Sequence, residues 1–191
     1  MYNIESVLKY LKTLEDIYNQ KCMEESDINL LLPTLKKYSE LSEHVTEMGV
    51  RWVVSTYALM MGKPKKLVSY DIIPLSEFNV SLDYLKLLAS QNNINYDFIL
   101  GDTTQIEIEE TDFLFIDTYH VYQQLKTELN LHSKYVKKFI ALHDTTTWGL
   151  VGEDGGLGLW KAVEEFLDKN KEWSICEKID YNNGLTILKR N

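Results

Sequence analysis

From His44 to the end of the chain, short apolar runs alternate with segments of helical periodicity, and few architectures satisfy that alternation. Residues 44–48, 66–70, 96–100, 113–116, 139–142, 173–177 and 185–188 have the length and apolar content of strands. Between most of them lie helical patterns at 55–61, 81–89, 121–131 and 159–167, with Leu82, Leu85 and Leu88 spaced along one face. Strand and helix in repetition predict an α/β fold: a mostly parallel seven-stranded sheet with helices on both faces. Helical patterning ceases after Asp168, and the turn-rich Tyr181-Asn182-Asn183-Gly184 predicts a terminal antiparallel hairpin.

Ahead of this pattern, Ile4, Val7, Leu8, Leu11, Leu14 and Ile17 recur at three- and four-residue steps, the stripe of an N-terminal helix. A second helix is expected after Ser26 and Asp27, started, kinked or interrupted by Pro33, which lacks the N–H a helix interior needs. Residues 1–42 thus read as a helical cap on a core spanning 43–191, together one domain, since 191 residues divided in two would leave each half a thin core. Whether the cap also joins copies into a homo-oligomer is left open.

Composition excludes several functions. With 45% apolar and 26% charged residues the chain is an ordinary globular one, and no run reaches the roughly 18 apolar residues of a membrane span. The first residues lack a signal pattern, so a cytoplasmic protein is expected. The two cysteines, Cys22 and Cys176, have no zinc-type spacing. A net charge of −9 argues against nucleic acid as partner, with the local lysines 63, 65, 66, 134, 137 and 138 read as solvated ends of elements.

In an open parallel sheet, ligands bind beyond the carboxyl ends of the strands, so the residues just after each run carry the functional information. The first run ends in Glu47-Met48-Gly49-Val50-Arg51, with Ser55 and Thr56 at the next helix start, where free N–H groups suit an anion. The second ends at Asp71, a carboxylate that can accept ribose hydroxyls or serve as a helix cap or loop acid, and the third at Gly101-Asp102-Thr103, an acid and a hydroxyl that suit an adenine edge or a simple Asp-Thr turn. The fourth ends at Asp117 with His120 three residues on, and the fifth at His143-Asp144. Hard oxygen ligands and imidazoles gathered at one rim suit a divalent cation or acid–base work.

These segments, EMGVRWVVST, VSYDI, GDTTQ, FLFIDTYHVYQQL, FIALHDT and GLVGEDGGLGLWKAVEEFL, in this order, resemble the class I S-adenosylmethionine-dependent methyltransferases, in the branch of cephalosporin-hydroxylase-like and macrolide or rhamnosyl O-methyltransferases. The resemblance implies a Rossmann-like sheet and transfer of the sulfonium methyl to a hydroxyl of a sugar, glycan or small natural product. It implies Glu47, Gly49, Arg51 and Ser55 around the methionine of the donor, Asp71 on the ribose, and Asp102 and Thr103 on the adenine. Asp117, also near the donor, would join His143 and Asp144 in holding a divalent cation, Mg²⁺ foremost. Asp117, His120 and His143 are the catalytic candidates, either histidine as general base.

Tyr57, Tyr119, Tyr122, Trp148 and Trp160 are candidates for the acceptor pocket, and the glycine-rich stretch 145–158 reads as a mobile lid. The chain departs from its relatives at Val53 and Val54, where they carry glycine, which keeps a non-catalytic binding module as the alternative. A nicotinamide-dependent oxidoreductase is disfavoured because the first turn lacks G-x-G-x-x-G.

Overall fold

A computed structural model describes residues 12–191. Its seven strands are β1 (His44–Met48), β2 (Lys66–Asp71), β3 (Asn95–Leu100), β4 (Thr111–Ile116), β5 (Val136–His143), β6 (Trp173–Ile179) and β7 (Leu185–Arg190). They form one sheet in the order β3-β2-β1-β4-β5-β7-β6. β1 to β5 run parallel, and β7 lies antiparallel between β5 and β6. The hairpin joining β6 to β7 turns through Asn182, Asn183 and Gly184, all at positive φ, the conformation that asparagine and glycine adopt at least cost.

Six α-helices occur among the described residues: α1 (Leu14–Met23), α2 (Leu32–Glu40), α3 (Val54–Met61), α4 (Leu82–Gln91), α5 (Tyr122–His132) and α6 (Leu159–Lys169). The two-residue alternation of the central strand sorts them onto two faces. Phe113 and Phe115 of β4 pack with Leu35, Leu59, Leu85 and Leu88 from α2, α3 and α4. Leu114 and Ile116 of the same strand pack with Leu125, Leu129, Val163 and Phe166 from α5 and α6.

The N-terminal stripe is partly realised. Leu14 and Ile17 are buried, but α1 begins at a capping box in which Thr13 and Asp16 satisfy each other's backbone N–H groups, and it runs on to Met23. Ile4, Val7, Leu8 and Leu11 lie outside the described residues. Pro33 stands in the first turn of α2, where its missing N–H costs nothing. Both helices join the core cluster that contains α3.

The sheet order reverses between β1 and β4. From β1 the chain moves outward through β2 and β3, then returns to β4 on the other side, so the loops after β1 and β4 diverge and leave a crevice at their carboxyl ends. No described helix is long and apolar enough to cross a membrane. Lys65, Lys66, Lys134, Lys137 and Lys138 pair at the surface with Glu43, Glu109, Glu107, Glu110 and Asp112.

Candidate active site

Two adjoining cavities occupy this crevice. One, of about 370 Å³, is lined by Asp71, Gly101, Asp102, Thr103, Tyr119 and Gln124 among others. The second, of about 180 Å³, is lined by Ser26, Asp27, Trp52, Ser55, His120 and Asp144 among others. Gly49, Arg51 and Asp117 border both. All the expected donor residues except Glu47 therefore face one of the two cavities.

Gly49 is required by the fold of this rim. Its φ is +83°, and a Cβ there would stand 1.9 Å from the carbonyl oxygen of Asp117. The turn after β1 thus lies directly against the strand end that carries Asp117. Asp71 holds that turn from the other side: one carboxylate oxygen accepts the N–H groups of Val50 (2.8 Å) and Arg51 (3.1 Å), and the other accepts that of Ile73 (2.8 Å). Asp71 lines the larger cavity and shapes the turn at once.

Glu47 lies beneath the turn, fully buried. Its carboxylate accepts hydrogen bonds from Ser55 (2.6 Å), Thr56 (2.8 Å) and Ser69 (2.6 Å). Burial pushes its carboxyl up to about 7 against the pull of those hydroxyls. It anchors the start of α3 to β2 and reaches the cavities only through Ser55. Thr103 likewise turns its hydroxyl inward to Glu128 (2.5 Å), a buried acid on α5 that also accepts from Thr118 (2.9 Å) and Gln124 (2.8 Å). Asp102 spends one oxygen on the N–H and hydroxyl of Thr104, closing the loop after β3.

Val53 departs furthest from local preference. It caps α3 in the left-handed region at φ 56°, an unfavourable conformation for a β-branched residue, and its side chain is buried in the core. Val54 borders the smaller cavity. Valine thus strains the backbone at position 53 and forms part of the cavity wall at position 54.

The fourth and fifth strand ends meet as expected, with a change of membership. Ligand atoms of Asp117, His120 and Asp144 all lie within 4.8 Å of one another. His120 Nε2 is 2.9 Å from Asp144 and 3.4 Å from Asp117. His143, assigned from sequence to the metal set and as a base, stands behind the two carboxylates instead. Its Nδ1 approaches Asp117 (3.2 Å) and Asp144 (3.1 Å), and its Nε2–H faces the carbonyls of Asp27 (3.3 Å) and Asn182 (3.2 Å). Since carbonyls only accept, Nε2 must keep its proton, and His143 orients the acids from a position 3% exposed.

Electrostatics follow the same division. Burial alone would discharge these groups, but the opposed charges outweigh it. His143 is raised well above its ordinary value by Asp117 and Asp144, and His120 is raised to about 10 by hydrogen bonds to both acids. Asp117 and Asp144 are held below the usual carboxylate range by the two imidazoles.

The donor set fits a divalent cation on one specific observation: the second oxygen of Asp144, Oδ1, is buried without any hydrogen-bond partner. An unpaired buried carboxylate oxygen is costly, and a bound ion removes the cost. Asp144 adopts φ 60°, which aspartate tolerates, and the turn delivers its carboxylate to His120.

Sequence reasoning missed several lining residues. Trp52 is 61% exposed beside the smaller cavity and packs edge-on against Phe78. Ser26, Asp27 and Ile28 arrive from the N-terminal cap. Of the aromatic candidates, Tyr119 lines the larger cavity, while Tyr57 is buried in the core. Tyr122 bonds Glu165 on α6, and the Trp148 ring lies parallel to His120 with centroids 6.4 Å apart. Trp160 sits where any Cβ on Gly149 would collide.

The glycine-rich stretch, expected as a mobile lid, folds as a hairpin. Val151 and Leu157 pair as an antiparallel bridge, Gly155 turns at φ 80°, and Gly158 passes so close to Gly149 that a Cβ would meet its carbonyl at 2.4 Å.

No protein-family profile matches the chain, and no curated protein matches it. Solved structures do. The SAH-bound methyltransferase PaMTH1 of Podospora anserina superposes with a TM-score of 0.62 at 15% identity, over 100% of this chain and 97% of that one. An O-methyltransferase of Bacillus cereus in complex with SAH gives 0.64 at 15% identity, covering 97% and 94%. The O-methyltransferase TomG of Streptomyces achromogenes, involved in tomaymycin synthesis and solved with SAM, gives 0.63 at 12% identity, covering 98% and 95%. At such identities the likeness is one of architecture, and the chain has the Rossmann-like α/β fold of the S-adenosylmethionine-dependent methyltransferases.

Proposed function

We propose that this protein is an S-adenosylmethionine-dependent O-methyltransferase acting on a hydroxyl of a sugar, glycan or small natural product, with a divalent cation, Mg²⁺ foremost, at Asp117, His120 and Asp144. The observation that carries the reading is the meeting of two features at one switch point: a cleft bordered by Gly49, Asp71, Asp102 and Thr103, and an Asp-His-Asp cluster with an unpartnered buried oxygen. Solved neighbours of the same fold hold SAH or SAM.

In this reading Asp71, Asp102 and Gln124 hold the nucleoside end of the donor in the larger cavity, and Arg51, Ser55 and Ser26 flank the methionine end in the smaller. Asp117 borders both cavities, where the two ends of the donor would join. The bound cation would act as a Lewis acid that lowers the pKa of the acceptor hydroxyl. Without an ion His120 is held as an imidazolium by Asp117 and Asp144, so its role in this reading is to ligate the cation once its Nε2 proton is displaced. The cap residues 26–28 and Trp52 keep water from the methyl-transfer path, and Trp52 presents the apolar face on which a sugar ring packs.

A second reading, a binding module that has lost turnover, is favoured by the strained Val53. Incubation with isotope-labelled S-adenosylmethionine and a panel of sugar and phenolic acceptors, with and without EDTA, separates the two. Label transfer that EDTA stops and Mg²⁺ restores supports the enzyme. Donor binding with no transfer to any acceptor supports the module.

A further inference from the structure

Glu153 stands at the hairpin tip, on the wall of the larger cavity, with a carboxylate to which the reading above gives no role. It touches His120 twice. Its Oε2 lies 3.0 Å from His120 Nδ1, and its backbone N–H donates to the carbonyl of His120 at 3.0 Å. The hairpin is shaped for this contact. Gly152 donates to Gly156, a Cβ on Gly152 would stand 3.2 Å from the His120 carbonyl, and Tyr122 at the start of α5 donates to Leu157. The Trp148 ring, from the same loop, runs parallel to the imidazole.

We infer that Glu153 is a positioning residue that fixes the His120 ring, so that the glycine-rich hairpin forms a third wall of the reaction centre. The inference rests on the reading of Asp117, His120 and Asp144 as that centre. An imidazole has two nitrogens, and the partner of one decides what the other can do. A carboxylate only accepts, so Glu153 keeps a proton on Nδ1 and turns Nε2 toward Asp117 and Asp144. Such partners of a ligating histidine fix its orientation, and their loss costs metal affinity. The glutamate side chain is 41% exposed, so its ion pair adds little stability by itself. Its contribution is to the direction of the ring.

The test compares wild type, Glu153→Ala, Glu153→Gln and, as a hairpin control, Asp154→Asn, whose carboxylate accepts only from Gly156. Nitrogen-15 NMR of the histidine rings is recorded on the metal-free protein, and Mn²⁺ affinity is measured separately by titration. In wild type and Asp154→Asn, the Nδ1–H of His120 is expected to be a slowly exchanging, hydrogen-bonded resonance. In Glu153→Ala it should disappear into exchange, and in Glu153→Gln, which keeps an acceptor oxygen, it should partly return. Mn²⁺ affinity should fall about ten- to hundred-fold in Glu153→Ala, and that fall should vanish in a His120→Ala background. An unchanged Nδ1–H resonance in Glu153→Ala overturns the inference, as does a loss of Mn²⁺ affinity that persists without His120. If wild type takes up no Mn²⁺ while the ring signal still depends on Glu153, the cation reading falls and the positioning role stands.

Discussion

Replacing Glu47 by Gln should make the protein more stable at pH 8 while changing it little at pH 5.5. The carboxyl is fully buried beneath the turn after β1, and its value in the folded state is about 7 against an ordinary 4.5. A raised carboxyl means that the folded state holds the proton more tightly than the unfolded state. Stability therefore falls as pH rises from about 4.5 to about 7 and levels off above. At ~1.4 kcal/mol per unit the whole window corresponds to about 3 kcal/mol. About 2 kcal/mol of it lies between pH 5.5 and pH 8. Gln is close in shape and does not titrate, and its amide can bond to the Ser55, Thr56 and Ser69 hydroxyls once these rotate. Urea unfolding of both proteins in EDTA at the two pH values measures the difference directly. The gap between Glu47→Gln and wild type should widen by about 2 kcal/mol at pH 8, roughly 4–8 °C in Tm for a chain of this size. Parallel pH profiles would refute the reasoning, because they would mean that Glu47 ionises in the folded protein as it does in water.

Gly49→Ala should cost at least about 2 kcal/mol, from the left-handed φ and from displacement of the Asp117 carbonyl; a thermal melt checks the loss and a Mn²⁺ titration checks the displaced acid. Asp71→Ala should lower both stability and donor affinity, the latter ten-fold or more, because the carboxylate holds three turn N–H groups as well as facing the cavity; denaturant unfolding and equilibrium dialysis read the two separately. The amides of Gly152, Glu153 and Gly158, all hydrogen-bonded, should be protected from hydrogen exchange without any ligand, whereas a lid would gain protection only on binding. Asp144→Asn should weaken Mg²⁺ binding by ten-fold or more while leaving donor affinity nearly unchanged, which paired calorimetric titrations measure.

The parallel sheet was legible because β1, β2, β4 and β5 are each a short run followed by a turn and a helix, a pattern that burial on both faces enforces, whereas β3 passes to β4 without a helix. The terminal hairpin was legible from its Asn-Asn-Gly turn. That β7 would insert between β5 and β6 was not, since strand neighbours depend on contacts remote in sequence. The candidate residues were chosen by position after strands, and among them Asp117, His120 and Asp144 lie together. Which histidine faces the cavity was hidden, because His143 ends a strand and points where the register sends it, while His120 sits on a loop shaped by the hairpin. Glu47 was read as a donor contact on the resemblance of its segment; the three hydroxyls that bury it come from α3 and β2, and their convergence exists only in the fold. The glycines of 145–158 suggested mobility by count alone, yet Gly149, Gly152 and Gly158 are there because neighbouring backbone leaves no room for a Cβ. Trp52 gave no sign in sequence beyond being an aromatic residue in a turn.

The central claim is that the paired cavities hold S-adenosylmethionine, and isothermal titration of the purified protein with S-adenosylmethionine and S-adenosylhomocysteine tests it most directly. Saturable one-to-one binding of both, with dissociation constants in the micromolar range and weakened ten-fold or more by Asp71→Ala, is the expected result. The absence of binding by either compound to the folded protein, with or without Mg²⁺, would contradict it.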